Sequence, residues 1–127
     1  MKDSLLMLRA AAAGALSADE LTPTAIDFGG PDVQKMTYNL KVPIAPTGTT
    51  PTLLAVIQGS HDNSTFYNWM TFKGRASDGL IDARNEYRVT GKCPFRYRRY
   101  TADLTGAGAN FGVVTIAAEV AGQYDKF

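Results

Sequence analysis

Pro94-Phe95-Arg96-Tyr97-Arg98-Arg99-Tyr100-Thr101-Ala102-Asp103-Leu104 and the following Thr105-Gly106-Ala107-Gly108-Ala109-Asn110-Phe111-Gly112-Val113-Val114-Thr115-Ile116-Ala117-Ala118-Glu119-Val120 read as two long strands about a glycine-rich turn. Aromatic and β-branched residues, which suit a pleated, half-buried surface, fill both halves. Gly106, Gly108 and Asn110 stand between them, where positive φ costs little. The pattern predicts a hairpin, and with it an all-β chain.

Upstream the same signals recur. Thr24 to Phe28 is a short strand stopped by Gly29-Gly30-Pro31. In Gln34 to Ile44, Met36, Tyr38, Leu40 and Val42 alternate with Lys35, Thr37, Asn39 and Lys41, which predicts one buried and one wet face. Thr52 to His61 carries Leu53-Leu54-Ala55-Val56-Ile57 and is expected at the centre of a sheet, covered on most of both faces. Phe66 to Gly74 follows, with Phe66, Trp69, Met70 and Phe72 expected to face inward as core. Asn85 to Val89 is a brief strand. Seven or eight strands separated by turn clusters, without a convincing amphipathic helix beyond residue 20, argue for an antiparallel β-sandwich or barrel.

The composition sets further bounds. A chain of 127 residues with 45% hydrophobic and 20% charged residues fits one folded domain. Thirteen basic and twelve acidic residues leave a formal charge of +1, so the chain as a whole has no field to attract nucleic acid or an anionic membrane. Cys93 is the only cysteine, so no internal disulfide forms; beside Pro94 it reads as a small apolar residue. No run approaches the roughly 20 apolar residues of a membrane span.

Residues 1–16 read as an arm or short helix, with Leu5, Leu8, Ala12 and Leu16 near helical spacing, ahead of a single β-sandwich domain over 17–127. Arg9 interrupts the apolar Leu5-Leu6-Met7-Leu8 run, which argues against a signal peptide. Ser17 and Glu20 have capping-box spacing, but Pro23 follows too soon for a helix, so a polar turn is expected.

Catalytic signals are weak. Ser60, His61, Asp62 and Ser64 are neighbours at a turn, whereas a triad needs its members converged by the fold and its base oriented by a third group. With one histidine and one cysteine there is no soft-ligand pair for a metal, and neither cofactor nor metal is expected. Gly106-Ala107-Gly108-Ala109-Asn110-Phe111-Gly112 fails as a dinucleotide fingerprint, because its third glycine is late and it leads into a strand. Asn63-Ser64-Thr65 matches a glycosylation acceptor, with nothing else to support a secretory route. No enzyme emerges.

Arg96, Arg98 and Arg99, interleaved with Tyr97 and Tyr100, are the sharpest functional signal. Three readings remain open: arginines on a solvent face paired with cross-strand Glu86 or Glu119, anchors for a protein partner, or a track for a nucleic-acid backbone. Neutral overall charge argues against the last.

The order of these signals resembles a family, the capsid cement or decoration proteins of tailed bacteriophages with a jelly-roll type fold. The similarity lies in Thr24-Ala25-Ile26-Asp27-Phe28-Gly29, in Val56-Ile57-Gln58-Gly59-Ser60-His61-Asp62-Asn63-Ser64-Thr65-Phe66, in Arg96-Tyr97-Arg98-Arg99-Tyr100-Thr101 with its Gly-rich turn, and in Val113-Val114-Thr115-Ile116-Ala117-Ala118-Glu119-Val120. Residues 1–16 and the Phe66 to Phe72 stretch have no counterpart in it. The resemblance implies a non-enzymatic virion protein, made in the host bacterial cytoplasm, that sits on the outer capsid surface. It would bridge major capsid subunits as a dimer, or a trimer, through many modest contacts. The expected contact residues are Leu5, Leu6 and Leu8 of the arm, Arg96, Arg98, Arg99 and Tyr100, and Tyr124 and Phe127 of the C-terminal tail. Two rivals remain: a tail, neck or head-closure protein, and a carbohydrate- or nucleic-acid-binding sandwich using Arg96, Arg98, Tyr97 and Trp69.

Overall fold

Among the described residues eight strands pair as four nested antiparallel couples: β1 (Leu6–Arg9) with β8 (Thr115–Val120), β2 (Ile26–Asp27) with β7 (Tyr97–Thr105), β3 (Met36–Val42) with β6 (Asn85–Gly91), and β4 (Thr52–Ser60) with β5 (Tyr67–Thr71). This is a computed structural model, and it describes residues 6–27, 36–92 and 94–120. Alternate couples join through β3·β8 and β4·β7 into two four-stranded sheets, ordered β1-β8-β3-β6 and β2-β7-β4-β5. A chain doubled into one long hairpin and then rolled so that successive couples fall in opposite sheets gives this wiring, which is that of a jelly roll.

The core forms between the sheets because the strands alternate as their sequences require. Met36, Tyr38, Leu40 and Val42 of β3 point inward, facing Leu53, Ala55 and Ile57 of β4 and Tyr100 and Ala102 of β7 in the opposite sheet. Phe72, Ile81, Phe111 and Val114 from the connections close the core. β4 lies within its sheet between β5 and β7, and on its outward face Val56 is buried while Leu54 is exposed.

The C-terminal hairpin read from the sequence is not formed. β7 and β8 belong to different sheets, and the Gly106 to Val114 connection crosses between them. Its glycines do adopt positive φ, Gly106 at 111°, and a Cβ on Gly106 would lie 2.4 Å from the Thr49 carbonyl oxygen. What defeats the hairpin is the apolar content of the connection. Ala109, Phe111 and Val114 are buried, and the backbone bonds other segments instead: Phe111 N–H donates to the Leu16 carbonyl at 2.9 Å, and Asn110 N–H to that of Thr47 at 3.0 Å.

The N-terminal segment also departs from expectation. Leu6–Arg9 is a strand on the edge of the first sheet, pairing Leu6 with Ala118 and Met7 with Ala117, and Ala11–Ala13 makes a turn of 3-10 helix. Leu8 and Leu16 join the core. The lever is Arg9. Its fully buried side chain grips the Glu20 carboxylate with two bonds, of 3.0 and 3.1 Å, and donates to the Gly14 and Val114 carbonyls at 3.0 and 2.7 Å. Glu20 in turn accepts the Tyr100 hydroxyl and bridges its backbone to Ala102, so this segment is stitched to β7. A charge-assisted bidentate pair of this kind is strong because both partners are fixed.

Candidate interaction surface

Edge strand β5 carries the chemistry that is left exposed. Its pairing with β4 shifts register between Ile57 and Gln58: Met70 opposes Ile57 and Asn68 opposes Gln58, so Trp69 is the extra residue of a bulge. Counted by twos from buried Phe72, strand alternation would put Trp69 and Tyr67 on the opposite face, and at this edge they are left 40% and 54% exposed. Phe72 reaches the core at 1% exposure and Met70 packs partly buried against it, whereas Trp69 is exposed and Phe66 only half-buried outside the core cluster, which corrects the inward placement expected of those two.

Phe95 organises the exposed aromatics. It is buried, its ring centroid 4.8 Å from His61, 5.5 Å from Trp69 in an edge-on arrangement, and 6.0 Å from Tyr67 in a stack. Gly59 makes the room, since a Cβ there would fall 2.2 Å from Phe95 Cδ2. His61 is presented by a tightly bonded turn. The Asp62 carboxylate accepts Ser60 Oγ–H at 2.9 Å and the backbone N–H groups of Ser64 and Thr65 at 2.9 and 3.0 Å. Those bonds, the backbone ones first, hold the Asp62 carboxyl down at about 2. Ser60 is thus engaged with Asp62, and His61 with Phe95; serine and histidine are not arranged as nucleophile and base.

The three arginines of β7 and its approach have three different fates. Arg96 is exposed and forms a bidentate pair with Asp27 at 2.8 and 2.9 Å, beside the Tyr97 ring. Arg98, expected on a solvent face, is fully buried; it donates to the Tyr38 hydroxyl at 2.8 Å and to the Phe95 carbonyl at 3.0 Å. Arg99 faces outward. Its guanidinium lies 3.8 Å from the Phe66 ring centroid, and its Nε–H donates to Gln58 Oε1 at 2.8 Å. Gln58 Nε2 then donates to Asn68 Oδ1 at 2.9 Å, so one cross-strand row runs Asn68, Gln58, Arg99. Burial lowers the Arg99 pKa from its ordinary value.

The cross-strand partners expected for these arginines, Glu86 and Glu119, lie on β6 and β8 of the other sheet. Glu86 instead pairs with Arg88 at 3.8 Å. The physical reason is the rolled topology, in which β7 is flanked by β2 and β4.

Of the residues singled out from the sequence, Arg96 and Arg99 reach the surface, while Leu8, Arg98 and Tyr100 serve the interior. Leu6 is placed by its backbone alone, in β1; Leu5, Tyr124, Phe127 and Cys93 lie outside the described residues. Sequence reasoning missed His61, Tyr67 and Phe95 as one cluster. The available signal was Gly59 two residues before His61, a vacancy for an aromatic side chain, but nothing local named Phe95 as its occupant.

No family model and no curated protein matches this chain. Among the described residues no group of three or more His, Cys, Asp or Glu is placed to hold a metal ion, and no helix is long and apolar enough to cross a membrane.

Proposed function

We propose that this chain is a bacteriophage capsid cement protein, which binds the outer face of the assembled shell and bridges neighbouring major capsid subunits. The observation that carries the reading is the sheet edge at β5, where Tyr67 and Trp69 stand exposed around Phe95, together with Arg99, held by Phe66 and Gln58 on the outward face of the same sheet. Tyr, Trp and Arg are the residue types that most often anchor protein interfaces. Many copies, each adding a modest contact, reinforce a lattice through multivalency, and a dimer of the chain would present two such edges.

The test is addition of the purified chain to capsids, lacking it, of the phage that encodes it. Saturable binding at copy numbers comparable to the capsid protein, with a raised disruption temperature, supports cementing; a few copies per particle point to the tail, neck or head-closure role. A second reading, a carbohydrate-binding module, is favoured by the exposed rings of Trp69 and Tyr67 on the same edge strand as Asn68, since exposed aromatic faces suit sugar rings. Retention on glycans with no affinity for capsids would favour it.

A further inference from the structure

We infer that Arg99 is a preorganised carboxylate receptor on the outward face of the second sheet, built to take an Asp or Glu side chain of a protein partner. Three observations converge. The Phe66 ring supports one face of the guanidinium at 3.8 Å, and the Asn68–Gln58 amide row fixes its Nε edge through the 2.8 Å bond to Gln58 Oε1. With Nε engaged by Gln58, the fork left for a carboxylate is the end-on edge formed by the two Nη groups. Arg99 is also uncompensated. Among the described residues it enters no ion pair, whereas Arg9, Arg75, Arg88 and Arg96 each have a carboxylate within 4 Å.

The energetic sense follows from these contacts. A guanidinium held by a ring and an amide loses little side-chain entropy when it pairs, and its lost hydration is already partly met by Gln58 and Phe66. Protein carboxylates are favoured over a nucleic-acid backbone because Arg99 stands alone, with neutral Gln58, Asn68, Thr101 and Val56 as its neighbours on β4, β5 and β7 rather than further cations. The inference rests on the cementing reading only for the identity of the partner.

The experiment therefore uses peptides rather than capsids, so that the two can fail separately. Arginine Nε–Hε cross-peaks of the ¹⁵N-labelled chain are followed while acetyl-Ser-Glu-Ser-amide, acetyl-Ser-Gln-Ser-amide or inorganic phosphate is added. Saturable movement of the Arg99 cross-peak with the Glu peptide is expected, at least roughly three times that of exposed Arg84, with little from the Gln peptide. Arg99→Lys, which keeps the charge and loses the fork, is expected to weaken peptide binding roughly tenfold, and Gln58→Leu to weaken it with the fold intact by circular dichroism. Equal movement with the Gln peptide, equal response of Arg84, or tighter binding of phosphate than of the Glu peptide would overturn the assignment.

Discussion

Arg98 on β7 donates to the Tyr38 hydroxyl on β3 at 2.8 Å, so a buried guanidinium ties one sheet of the sandwich to the other. The same side chain holds the Phe95 carbonyl at 3.0 Å. The internal tie and the surface aromatic cluster are therefore one structure, and the rigidity of the first positions the second.

Tyr38→Phe removes this bond between the sheets, a loss of about 1–3 kcal/mol. Arg98→Met removes the charge itself. In urea unfolding the double variant is expected to lose less than the sum of the single variants, by about 0.5–3 kcal/mol of coupling. Strict additivity would show that the two residues do not act together.

Gly59→Ala places a methyl group into the Phe95 ring, 2.2 Å from Cδ2. Overpacking of this kind costs about 1–3 kcal/mol. Combining it with Phe95→Ala is expected to cost less than the two changes added. Trp69, 5.5 Å from Phe95, is the only tryptophan and reports the change by its fluorescence.

The pH dependence has two limbs. Hydrogen bonds from Arg9, foremost, hold the Glu20 carboxyl below its ordinary 4.5, against the opposing effect of burial. A lowered folded-state pKa gives stability that is present above 4.5 and is lost as pH falls through the folded value. Tyr100 is the reverse: burial, then Glu20, push it up from 10.0 to about 12, so its contribution is present below 10.0 and is lost as pH rises towards 12. Urea midpoints are expected to fall at both ends. Glu20→Gln is expected to lower the midpoint at neutral pH and shrink the acid limb, part of which persists because exposed Asp62 and Asp78, each at about 2, also titrate there. An unchanged acid limb would remove Glu20 from this role.

Tyr67→Ser with Trp69→Ser tests whether the exposed aromatics serve binding or stability. Both side chains are exposed but pack on the Phe95 ring, so stability is expected to fall by about 1–3 kcal/mol with the fold retained by circular dichroism. Capsid binding is expected to drop at least about tenfold. A stability loss with unchanged binding would assign the two rings to stability alone.

The sandwich was legible because β3 and β4 show the alternation and apolar density that a strand buried on one or both faces must have. Register and pairing were not. The glycines after Thr105 encode a real turn, yet whether the chain returns beside β7 or crosses to β3 depends on where Phe111 and Val114 find cover, a nonlocal matter. Arg98 illustrates the same limit: alternation places it on the face opposite Arg99, but its burial depends on Tyr38, sixty positions away. Trp69 was misplaced because the aromatic stretch was read as core together, whereas Trp69 lies three residues from both Phe66 and Phe72 and so cannot share their face by a two-residue period. Arg96 and Arg99 reach the surface, but the Asp27 partner and the Phe66 support lie on segments that local pattern does not link to them.

In the proposed function the edge around β5 grips a capsid. A reconstruction of capsids decorated with the purified chain tests it most directly. Trp69, Tyr67 and Arg99 are expected to face the shell, with an acidic side chain of the capsid subunit against the Arg99 fork. Decorated capsids in which that edge points to solvent, or particles that bind no copies of the chain, would contradict the account.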